Sequence, residues 1–162
     1  DEVQGERGFA DAGPGRDDDE FGFLHARGHV VQVRVVGGNS ADGEVVLAVN
    51  DAGNKEYGGL VILKHQIDGW LFYTLYGHLS EASLLDKKVG DGIAKGEQIA
   101  TLGLPPINGD YAPHLHFQII IDMEEKIGDY PGVCSGNKLE FYKNNCPNPN
   151  LLLKIINESF FC

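Results

Sequence analysis

The stretch HLHFQIIID at 114–122 decides how the rest of the chain reads. It is short, rich in β-branched and aromatic residues, and ends in a run of three isoleucines, which is the composition of a strand. On a strand, residues two apart point to the same face. His114 and His116 therefore stand side by side, with Leu115 on the opposite face. Working outward, other apolar runs of similar length precede it. VVQVRVV at 30–36 reads as a strand ended by Gly37-Gly38-Asn39. EVVLAV at 44–49 is entered through the Asp42-Gly43 turn. LVILKH at 60–65 and WLFYTLY at 70–76 are joined through Ile67-Asp68-Gly69. Between 89 and 103, in VGDGIAKGEQIATLG, glycine recurs at 90, 92, 96 and 103, a pattern of tight hairpins that a helix would not tolerate. Short strands at close spacing with turns between predict an all-β, mostly antiparallel sheet or sandwich.

The flanks differ in character. The first 20 residues hold eight acids against two arginines, and they contribute most of the formal net charge of −11. Few aliphatics accompany them, so residues 1–29 are expected to be a poorly ordered acidic head, ahead of a β domain over 30–122. Beyond Asp122 the chain is polar and turn-rich. NNCPNPN at 144–150 carries two prolines and is expected to be irregular. The expectation for 123–162 is a turn-rich extension. Within the single domain that 162 residues and 42% hydrophobic content suggest, this leaves the chemistry in the middle.

Composition excludes several classes. An acidic chain repels phosphate backbones, so no nucleic-acid partner is expected. No stretch approaches the roughly 18 apolar residues of a membrane span. Cys134, Cys146 and Cys162 are odd in number and lack Cys-x-x-Cys spacing, which fits a reducing compartment better than a disulfide framework. With no leader-like opening, a cytoplasmic location is the expectation. Asp17-Asp18-Asp19-Glu20 lacks the alternating ligand spacing of a calcium loop and reads as solvated charge.

The candidate chemistry is imidazole chemistry. A His-x-His pair alone is a weak signal, but His78 ends an aromatic strand 36 residues before His114, in Tyr76-Gly77-His78-Leu79-Ser80. Such a strand can lie beside the His-x-His strand in a sheet, and three converging imidazoles are hard to explain as packing. A catalytic zinc normally takes three protein ligands and leaves one position for water. His65 ends its strand before a hairpin and is expected to be structural.

The strings YGHLS, VGDGIAKGEQIATLG and PHLHFQ, in that order and spacing, resemble the lysostaphin/LytM-type zinc endopeptidases. Those are β-sheet proteins of the duplicated hybrid motif fold that cut peptidoglycan cross-bridges, the glycyl-glycine endopeptidases. The resemblance runs from about Asp42 to Ile121. It implies zinc as cofactor, His116 as a zinc ligand, and His78 and His114 acting on the water and the tetrahedral intermediate. It implies a peptide or peptidoglycan-like substrate. It also implies two further ligands from an upstream His-x-x-x-Asp, and here the chain departs: residues 1–41 contain none. His25 and His29 are four apart, and neither has an Asp four residues on. The expectation is weak or absent metal binding. Back-translated and shifted by one nucleotide, the codons of 24–29 can encode Phe, Met or Thr and then Pro-Ala-Gly-Thr, the turn the family places shortly before its Asp-Gly, so the head also reads as an out-of-frame stretch.

Two lesser resemblances remain. Gly-Asp-x-Ile-x-Lys-Gly at 90–96 is similar to biotinyl and lipoyl carrier hairpins, but Gly103-Leu104-Pro105-Pro106 stands where their continuation belongs. The segment from Asp122 through GDYPGV to CPNPNLLL resembles the region after such a peptidase-like domain in bacterial fusions. There it sits between a phosphotransferase domain and a class-III aminotransferase. That resemblance implies covalently linked partner domains and offers a second function, a non-catalytic binding or scaffold domain.

Overall fold

The computed structural model describes residues 23–25, 32–34, 42–51, 53 and 56–154, the first two segments as backbone only. Among these residues eight strands form, in chain order: β1 Phe23–His25, β2 Gln32–Arg34, β3 Gly43–Asp51, β4 Gly58–Ile67, β5 Trp70–Leu79, β6 Gly92–Ile93, β7 Gln98–Thr101 and β8 His114–Ile120. All pairings are antiparallel. One sheet has the order β1-β8-β5-β4-β3-β6, and β2 pairs with β7 in a second. The predicted all-β, mostly antiparallel class is what the chain adopts.

The β4–β5 hairpin shows the local rule at work. Ile67 pairs with Trp70, so Asp68-Gly69 is a two-residue loop, and both residues have positive φ (49° and 84°). That is the primed turn whose twist matches the flanking strands, and Asp-Gly is among the pairs that take it at least cost.

The central sheet is covered on both faces, and period-two alternation sorts its side chains. Val61 and Leu63 of β4, with Leu115, Phe117 and Ile119 of β8, join Val45, Tyr76 and the hairpin residues Ile93, Ile99 and Leu102. Leu60 and Ile62 of β4, with Leu75 and Ile120, face Tyr57, Tyr130, Tyr142 and Cys146 on the other side. Every residue of β8 is buried. Its polar residues His114, His116 and Gln118 must therefore be partnered within the protein.

Two features of the flanks go beyond what their composition suggested. The acidic head over 1–22 lies outside the described residues, but Phe23–His25, inside the segment 1–29 assigned to it, forms β1 and pairs with β8. The extension after β8 is less irregular than its prolines suggest: α1 spans Leu139–Asn145 and α2 Asn150–Leu153. Pro147 and Pro149 fall between them, and Pro149 stands at the N-cap of α2, where its missing N–H costs no helical bond. Tyr130, Tyr142 and Cys146 of this segment bury against the sheet. Cys134 and Cys146 are free thiols, and Cys162 lies outside the described residues. No described helix is long and apolar enough to cross a membrane.

Candidate functional site

Alternation along β8 places His114, His116 and Gln118 on one face, opposite Leu115 and Phe117. The neighbouring strand β5 pairs Gly77 with His116, which brings His78 to the same end of the sheet. The ring centroids of His78 and His114 are 4.4 Å apart, and those of His78 and His116 are 6.0 Å apart. The three imidazoles singled out in the sequence thus converge, all of them buried. Gly77 is required for the approach. A Cβ there would lie 2.6 Å from Cδ1 of Tyr57 and 3.2 Å from Cβ of His116.

His78 reaches this position at a backbone cost. Its φ is +61°, a left-handed conformation uncommon for a side-chain-bearing residue. Strain of this kind costs of order 1–3 kcal/mol and persists only where the surroundings fix it. Here the His78 N–H donates to the Tyr57 carbonyl at 2.8 Å, and its own carbonyl accepts from Gly103 N–H at 2.8 Å.

The hydrogen bonds fix which nitrogen of each ring carries the proton. A backbone carbonyl only accepts, so Nδ1 of His78, 2.9 Å from the Asn108 carbonyl, is protonated. The same holds for Nδ1 of His114, 2.7 Å from the Ala112 carbonyl. In their neutral forms both rings therefore carry the lone pair on Nε2. His116 is the reverse case. Its Nε2 lies 2.8 Å from Oε1 of Gln118, so Nε2 donates and the lone pair is on Nδ1. Burial, followed by the nearby His114 and then His116, lowers the pKa of His78 to about 3. Burial lowers that of His116 to about 4, against the opposing pull of its bond to Gln118. Both are neutral imidazoles at physiological pH, the form that ligates a metal or accepts a proton.

Aromatic rings enclose the cluster. Tyr57 meets His116 edge-on at 5.0 Å, and Tyr111 meets His78 at 5.2 Å and His114 at 5.6 Å. Tyr57, Asn108, Tyr111 and Gln118 were not expected here. Gln118 was within reach of the same period-two reading that paired His114 with His116. The other three come from loops, where no periodicity signals them. His65 lies elsewhere: its Nδ1 donates to the Asp42 carbonyl, its Nε2 is 2.7 Å from the Thr74 hydroxyl, and its ring stacks on Phe72.

The fit of the cluster to zinc depends on donor count. His116 offers one nitrogen. Among the described residues no three His, Cys, Asp or Glu side chains are grouped to hold a metal ion. The chain contains no His-x-x-x-Asp. Among the described residues one donor falls short of the three that a catalytic zinc requires, so these residues do not fit the ion.

Comparison with known proteins adds the following. Residues 28–127 match the model of Peptidase family M23. The catalytic domain of the antimicrobial peptidase lysostaphin from Staphylococcus simulans is 26% identical, over 77% of this chain and 73% of that one, with a TM-score of 0.46. The solution structure of lysostaphin is 27% identical over 65% of this chain and 36% of that one, at a TM-score of 0.41. LytU is 22% identical over 75% and 72%, at 0.39. No curated protein matches the chain.

Proposed function

The chain belongs to peptidase family M23, and from that premise we propose that it is a peptide-directed domain of the peptidoglycan-hydrolase type whose zinc site is incomplete. Members of the family are generally zinc-dependent. The observation that carries the reading is the mismatch between a well-formed imidazole cluster and a deficient ligand set. His78, His114 and His116 are held in defined tautomers by specific acceptors, yet only His116 corresponds to a ligand. When bound, zinc would polarise a carbonyl and supply a nucleophilic water. With one donor in place, this chain holds the ion weakly and hydrolyses peptides poorly.

What the chain's own residues do is bind and orient. Nε2 of His78 is a neutral acceptor, and Nε2 of His114 bears the lone pair in the neutral form of that ring; both suit a peptide N–H or a water. Asn108 and Ala112 hold the two rings at their far nitrogens, so neither needs to reorganise when a peptide arrives. Tyr111 and His114 are the outward members of the cluster, and a glycine-rich peptide, without side chains to clash, suits a site lined by rings.

Metal analysis of the full chain is the test. Well under one equivalent of zinc should survive dialysis, and a glycine-rich cross-bridge peptide should shift the His78 and His114 imidazole resonances without being cut. One tightly held equivalent of zinc, lost in His116→Ala, would overturn the reading in favour of a competent peptidase. The absence of any shift with peptide would remove the binding role.

A further inference from the structure

The family match ends at Ile127, but hydrogen bonds to the site do not. Gln118 shares a face of β8 with His116 and is buried, 2% exposed. Its amide nitrogen donates to the Pro131 carbonyl at 3.1 Å. Turning the amide over would set its oxygen against that carbonyl, two acceptors facing each other. The Pro131 carbonyl therefore fixes which end of Gln118 faces the histidine. Oε1 is left toward His116, where it accepts from Nε2.

The segment that carries this carbonyl is held from several directions. Tyr57, whose ring abuts His116, donates its hydroxyl to the adjacent Tyr130 carbonyl at 2.7 Å. The Tyr130 hydroxyl donates to Glu124 and accepts from Asn145. Asn145, the last residue of α1, also clamps the end of β8: its amide group donates to the Asp122 carbonyl and accepts from the Asp122 N–H, and its backbone carbonyl accepts from Ile121 N–H. Tyr142 and Cys146 bury against the same face.

We propose that the segment after β8, residues 129–146, is a working part of the site: acting through Gln118 as a positioning residue, it locks His116 in the Nε2–H tautomer and so leaves the ring's lone pair on Nδ1. An isolated imidazole exchanges its proton between the two nitrogens. A buried one is held by whichever neighbour has the stronger requirement. Here the requirement is set by a main-chain carbonyl some 15 residues along the chain from the histidine, beyond the matched region. The lock exists without metal or peptide.

The test is therefore made on metal-free, nitrogen-15-labelled full chain at neutral pH, by long-range proton–nitrogen correlation of the imidazoles. Wild type should show His116 as a single tautomer with a protonated-type Nε2 and an unprotonated-type Nδ1. In Gln118→Met both nitrogens should move to intermediate shifts, while His78 and His114, held by other carbonyls, keep theirs. Gln118→Glu, which preserves an acceptor, should restore the wild-type pattern. Asn145→Ala does not touch His116 and should also relax its tautomer. A wild-type His116 protonated at Nδ1 would overturn the proposal without any variant, as would an unchanged pattern in Gln118→Met. An unchanged pattern in Asn145→Ala would confine the effect to Gln118 and remove the role of the segment. None of these readings depends on zinc or on cleavage, so the lock and the function stand or fall separately.

Discussion

Acidification should destabilise the metal-free protein through its buried histidines. An imidazole in the unfolded chain has a pKa near 6.5, whereas folding lowers His78 to about 3 and His116 to about 4. In both rings burial is the largest cause. Because the folded values lie below the unfolded one, the unfolded state binds more protons as pH falls. Stability is complete above about pH 6.5 and is lost on descent, at about 1.4 kcal/mol per pH unit for each ring, until its folded pKa is reached. At about pH 5 each ring then costs about 2 kcal/mol, and the pair about 4 kcal/mol, by this linkage. That is a large share of the roughly 5–15 kcal/mol that holds a domain together. His65, also lowered by burial, adds in the same direction. Denaturant unfolding with chelator present, at intervals from about pH 8 to 5, reads the slope. Replacing His78 and His116 by Gln should flatten it by about two protons. The reasoning is refuted if the double variant keeps the wild-type slope, since the protons would then be going elsewhere.

Other outcomes follow from the same geometry. Gly58→Ala should cost about 3 kcal/mol in chemical denaturation, because Gly58 has a φ of +61° and a Cβ there would collide with the Ile107 carbonyl. It should also disturb His78, whose Nδ1 rests on the next residue's carbonyl; a shift in loop residues without any change at His78 would separate the two. Tyr57→Phe removes a buried hydroxyl that donates to Tyr130 and should destabilise by about 1–2 kcal/mol while leaving the fold intact by circular dichroism. Glu44→Gln breaks a half-exposed ion pair with Lys64, and its effect should stay within about 0.5 kcal/mol, a larger loss being unexpected for a surface pair. Sequencing the gene across codons 1–41 tests the out-of-frame reading: no frame encoding His-x-x-x-Asp upstream of Asp42 would eliminate it.

The sequence by itself determined the strand content and the facing of β8. Alternation with a period of two put His114 and His116 together, because a strand's side-chain direction is a local property of its backbone. The Asp68-Gly69 turn was equally local, since it depends on which residues accept positive φ. His78 was legible as a strand-end residue, but its left-handed backbone and its 4.4 Å approach to His114 were not. They require β5 to pair with β8 in one register, and Gly77 to leave room for Tyr57. The segment after β8 was the least legible. Its prolines and turns hid two short helices, which have little stability of their own at that length and gain it by packing: Tyr142 and Cys146 at α1 bury against the sheet, and Leu152 and Leu153 of α2 pack partly buried against the core. Only tertiary structure decided the tautomers. A histidine's two nitrogens are equivalent in sequence. Which of them holds the proton depends on whether a carbonyl from residue 108 or 112, or an amide oriented by residue 131, is brought alongside.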